Sequence, residues 1–107
     1  MNNLPNFNKI FMDNFRARVR LHLEDAFNRS LVRVRYIERS AFMEISILYE
    51  GEVYKYIYPL DDDMLLDLMS CNSRRINDVL ERLVCYCIED YKNDVALEAI
   101  RERVKEC

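Results

Sequence analysis

The chain has 107 residues, half of them apolar and a third charged, with a formal charge of −3, one glycine, one histidine and no tryptophan. One glycine excludes the P-loop and the dinucleotide fingerprint, because each needs two or three glycines where backbone turns tightly against phosphate. A single histidine also leaves little for the usual proton-shuttling and nucleophile-activating sites, so no enzyme is expected and no cofactor is called for.

A chain of 12.9 kDa folds with a surface on the order of 6,300 Å² and buries enough for one core, which predicts a single domain over residues 1–107. No stretch reaches the roughly 20 apolar residues of a membrane span, and Met1-Asn2-Asn3-Leu4-Pro5-Asn6 lacks the basic start and apolar run of a signal peptide. A cytoplasmic protein without membrane contact is the expectation. Cys71, Cys85, Cys87 and Cys107 form neither a CxxC pair nor a zinc spacing, so they read as reduced thiols and no metal site is assigned.

Charge is unevenly divided. Residues 1–60 hold nine bases and seven acids, and residues 61–107 hold seven bases and twelve acids, which makes the chain a dipole along its length. Arginine outnumbers lysine twelve to four, which favours forked contacts with carboxylate or phosphate.

The first element is a helix over about Phe7 to Phe27. Phe7, Phe11, Phe15, Val19, Leu23 and Phe27 recur at spacing four as a core stripe. Ile10, Ala17 and Leu21 line up roughly opposite; this second strip is either wrapped by other elements or is the contact of a partner or of a homodimer. Arg16, Arg18 and Arg20 do not share one face, since Arg16 and Arg20 are four apart and Arg18 points elsewhere. Pairs Arg20–Glu24 and Arg29–Asp25 are spaced for helical ion pairs. His22 sits at the stripe's edge and reads as a packed or hydrogen-bonded residue.

Three strands follow. Leu31–Ile37 sets Val32, Val34 and Tyr36 against Arg33 and Arg35; Phe42–Tyr49 sets Met43, Ile45, Ile47 and Tyr49 against Glu44 and Ser46. After the turn residue Gly51, Val53–Tyr58 sets Tyr54, Tyr56 and Tyr58 against Val53, Lys55 and Ile57, and Pro59 ends the run. The pattern is an antiparallel meander with one face open to water or to a partner. The tyrosines suit three uses: a core or half-buried face, a protein interface or a stacking platform for bases.

Asp61-Asp62-Asp63 opens a short helix through about Met69, where acids oppose the dipole and satisfy free N–H groups. Together with Asp67 the same cluster is a candidate cation site or a negative patch for docking on a basic groove. Asn72 or Ser73 caps a helix over about Arg74–Tyr91, with a stripe of Ile76, Val79, Leu80, Leu83, Val84, Cys87 and Tyr91. A final helix is predicted over about Asp94–Lys105, burying Leu97, Ile100 and Val104. Cys85 and Cys87, two apart on a helix, point away from each other and do not chelate one ion.

The fold class is therefore α+β: an N-terminal helix, a three-stranded antiparallel meander, then two to three C-terminal helices. The order α-β-β-β-α over roughly residues 7–91 resembles the double-stranded-RNA-binding domain. That family places a basic, small-residue segment at the start of its last helix to grip phosphates. Here the matching segment is Asp61-Asp62-Asp63 followed by Asp67, which repels phosphate, so the resemblance extends to topology and not to duplex-RNA binding.

The expected function is non-catalytic protein binding, suited to a small phage or mobile-element accessory protein that inhibits a host complex such as a defence nuclease. Its contacts are assigned to Asp61, Asp62, Asp63 and Asp67 and to Tyr54, Tyr56 and Tyr58. The alternative is a dimeric nucleic-acid-binding or transcription-regulatory protein that uses the basic residues Arg16, Arg18, Arg20, Arg33 and Arg35.

Overall fold

A computed structural model describes residues 7–27, 30–49 and 51–105, with side chains as far as residue 95. The elements are α1 (Lys9–Ala26), β1 (Leu31–Ile37), β2 (Phe42–Tyr49), β3 (Glu52–Pro59), α2 (Asp62–Met69) and α3 (Ser73–Lys105), an α+β fold. Arg29 and Cys107 lie outside the described residues, and with Arg29 the expected Asp25 pair.

The strands form one antiparallel sheet in the order β1-β2-β3, with Val34 opposite Ile45 and Ile45 opposite Tyr56. Strict alternation puts Val32, Val34, Met43, Ile45 and Ile47 on the inner face, all buried, with Tyr54, Tyr56 and Tyr58 half-buried beside them. The helices cover that face alone: α1 packs on β1, α3 on β3, and α3 also meets α1 and α2. Gly51 turns β2 into β3 at φ +80°, a value that costs a glycine nothing.

Helix α1 starts where Asn8 accepts the amide of Ile10 at 2.8 Å. Its stripe buries Phe15, Val19, Leu23 and the flanking Phe27, together with Met12, which lies three residues before Phe15 and escapes a spacing-four reading. Asp61 caps α2 by accepting the amide of Met64 at 2.8 Å, while Asp62 and Asp63 occupy the first turn. Asn72, not Ser73, caps α3.

Two helices follow the sheet, because α3 runs unbroken through the position where a third was expected to begin. Tyr91-Lys92-Asn93-Asp94 contains neither glycine nor proline, so the hydrogen-bond ladder has no reason to stop. Leu97, Ile100 and Val104 fall on this helix beyond the described side chains. At 1.5 Å per residue its 33 residues are about 50 Å long, which sets the longest dimension of 54 Å. That elongation also accounts for an accessible surface of 7939 Å², above the value expected of a rounder chain.

Cys71, just past the end of α2, is exposed and holds a left-handed φ of 56°. A side chain pays for that conformation where glycine does not. Cys71→Gly is expected to raise stability by about 0.5–1 kcal/mol after the added freedom of the unfolded chain is subtracted. Thermal melts of Cys71→Gly beside Cys71→Ala check it: the alanine control keeps the strain and gains nothing.

Candidate functional site

The outer face of the sheet carries four rows of side chains that cross all three strands, the marginal one being Ile37, Phe42 and Pro59. Leu31, Leu48 and Val53 form the first, Arg33, Ser46 and Lys55 the second, and Arg35, Glu44 and Ile57 the third. Leu31 is 68% exposed, Val53 65%, Ile57 50% and Leu48 40%. Four aliphatic side chains thus face solvent on one sheet surface, the arrangement that marks an interaction site more often than a free surface.

Glu44 is the exception on this face. It is buried at the centre, its Oε1 3.5 Å from Lys55 Nζ and 3.7 Å from Arg35 Nη1. Both cations are more than half exposed, so each pair is worth less than about 1 kcal/mol, and the carboxylate owes its cover to the long stems around it. With Arg33, Arg35 and Lys55 against one shielded acid, the face presents positive charge to whatever approaches.

The arginines singled out in the sequence separate into three environments. Arg16 lies between α1 and the free edge of β1, donating from Nη1 to the Val34 carbonyl at 3.4 Å and from Nη2 to Asp13. Arg20 and Arg33 join Arg16 in lining one groove there, and Arg20 also pairs with Glu24 at 3.9 Å. Arg18 turns to the other side of α1 and donates to Asn77 on α3. Arg35 stays on the outer sheet face. The five do not make one surface.

The tyrosine ladder, for which the sequence left a half-buried face, a protein interface and a stacking platform open, lies half-buried on the inner face of the sheet against α3. Tyr58 donates to Asp90 and Tyr56 to Asp94, each at 2.6 Å, and Tyr54 meets Tyr91 edge-on at 5.2 Å. Burial, then the carboxylate each hydroxyl touches, push both phenols well above their ordinary range. These rings hold α3 to β3, and their hydroxyls are already engaged. Beside them burial pushes the Cys87 thiol up to about 12, so it remains protonated and inert.

Asp61, Asp62 and Asp63 are exposed and serve the start of α2, while Asp67 is half-buried. Among the described residues no group of three or more histidine, cysteine or acidic side chains is placed to hold a metal ion. Ile10 and Leu21 stand 71% and 55% exposed, so no described element wraps them; Ala17 is half-buried in the groove beside Arg16. His22 is exposed rather than packed. Among the described residues no helix is long and apolar enough to cross a membrane.

Leu31, Leu48, Val53, Ile57 and Glu44 were not singled out from sequence. The signal of the four aliphatic residues was an apolar side chain in the outward phase of an alternating strand, which binary patterning counts as an error unless it serves a function. The chain matches no protein-family model, no curated protein and no solved structure.

Proposed function

We propose that this protein is a non-catalytic binding module whose outer sheet face docks an acidic protein surface. The observation that carries this reading is the exposed aliphatic row Leu31–Leu48–Val53, with Ile57 beside it, bordered by Arg33, Arg35 and Lys55. Aliphatic side chains supply contact area once water is excluded, and the cations steer a partner of opposite charge. A small phage or mobile-element accessory protein that occupies a host complex, such as a defence nuclease, and inhibits it stoichiometrically would work by this route.

Nucleic-acid binding is the second reading, favoured by the convergence of Arg16, Arg20 and Arg33. Against it, the outer face bears no aromatic side chain save Phe42 at its margin, and the tyrosines that would stack bases face α3. Parallel captures from cells of the source organism, one with nuclease treatment and one without, test the choice. Wild-type protein is expected to retain a protein partner, and Val53→Asp or Ile57→Asp to weaken retention by about tenfold or more. Retention unchanged by either substitution overturns the proposal. Retention of nucleic acid that falls steeply with salt supports the second reading instead.

A further inference from the structure

Between α1 and the free edge of β1 runs a groove of two lobes, about 590 Å³ and about 350 Å³, which share Asp13 and Arg16. Their linings differ in chemistry. The larger lobe has apolar and aromatic walls from Phe7, Met12 and Tyr36, the acceptor Glu38, and the cations Lys9 and Arg39. The smaller is dominated by Arg16, Arg20 and Arg33, with Asp13 its one acid and that acid already bound to Arg16.

We infer from this division that the groove is a binding site for a nucleoside phosphate, base and ribose in the larger lobe and phosphates in the smaller. The lobes fall within the size range of small-molecule sites. Phe7 and Tyr36, in edge contact at 5.8 Å, form an aromatic wall for a base, while the Glu38 carboxylate accepts from ribose hydroxyls or base amines. Arg33 has no ion-pair partner among the described residues and Arg20 only a loose one, which leaves two guanidinium forks for phosphate oxygens.

Two buried polar atoms in the groove's lining, Tyr36 Oη and Arg16 Nε, make no hydrogen bond within the protein. Both are covered by protein, so a ligand in the groove meets the exposed forks of Arg20 and Arg33 and not these atoms. Burial and the Glu38 charge raise the Tyr36 phenol above its ordinary range. Arg16 is held in place by the Val34 carbonyl and Asp13 before any ligand arrives. No glycine-rich loop is needed, because side-chain forks replace the backbone cradle.

Isothermal titration of the whole chain with ADP, AMP, adenosine and pyrophosphate tests the site. Saturable binding of ADP is expected, with adenosine and pyrophosphate each about tenfold weaker or more, and Arg20→Glu lowering ADP affinity by about tenfold or more. Arg20 is off the outer sheet face, so Arg20→Glu is expected to leave protein-partner capture intact, and failure of either proposal shows separately. Absence of saturable heat at about 1 mM nucleotide, pyrophosphate binding as tight as ADP, or an Arg20→Glu variant that binds ADP normally each overturns the inference.

Discussion

Leu83→Ala is expected to destabilise the protein by about 2–5 kcal/mol, an effect set by cavity formation as well as by lost transfer energy. Leu83 is fully buried on the stripe of α3, within the same cluster as Val19 and Leu23 of α1 and Met64 and Leu68 of α2. A hole there opens in the one core that the helices and the sheet share, and a close-packed interior closes it only in part. Against a total stability of about 5–15 kcal/mol the loss is a large fraction. Urea titration is expected to show a lower midpoint at unchanged slope, with Leu83→Met losing less than about 1.5 kcal/mol. Ile57→Asp, on the outer face, is expected to shift the midpoint far less, because it opens no cavity. Equal losses for Leu83→Ala and Ile57→Asp would show the outer face to be part of the core.

Alkaline solution is expected to unfold the protein, and the cause lies where β3 meets α3. The Cys87 thiol is raised by burial from an ordinary value of 9.0 to about 12, and the Tyr56 and Tyr58 phenols are raised for the same reason, reinforced by Asp94 and Asp90. Each group holds its proton more tightly folded than unfolded. Their contribution is therefore complete below pH 9 and is lost as pH rises through 12 and beyond. Urea midpoints measured across that range are expected to fall steadily, and less so in Cys87→Ala once its lower starting stability is subtracted. The same burial predicts thiol chemistry, because it leaves Cys87 far less thiolate at neutral pH than an exposed cysteine has. Cys71 and Cys85 are exposed, so an alkylating reagent is expected to modify both while Cys87 remains unmodified. Tandem mass spectrometry that separates Cys85 from Cys87 gives the answer, and comparable labelling of the two would contradict the packing described.

The strands were legible because alternation has a period of two and their outward and inward phases differ sharply in β1 and β2. In β3 both phases are apolar, Val53 and Ile57 on one side and tyrosines on the other, so periodicity alone did not say which faced the core. Only the presence of α3 against the tyrosines decides it. The stripe of α3 as far as Tyr91 was readable for the same reason as that of α1, and the capping roles of Asn72 and Asp61 were visible as residue types. What was not legible depends on segments far apart in the chain. Arg16 and Arg33 share a groove because a helix and a strand are packed together, and Arg18 is diverted to Asn77 by a helix that begins more than fifty residues later. The polar run Tyr91-Lys92-Asn93-Asp94 read as a boundary because its residues favour turns, but without a breaker the helix passes straight through.

The meeting of α1 with α3 has a meaning for folding. Both hairpins of the sheet join neighbouring strands through short turns, and such units form within microseconds, whereas residues 18 and 77 must find each other across 59 positions. Closing that long loop costs more chain entropy than closing either hairpin, and the core that α1 and α3 share offsets it.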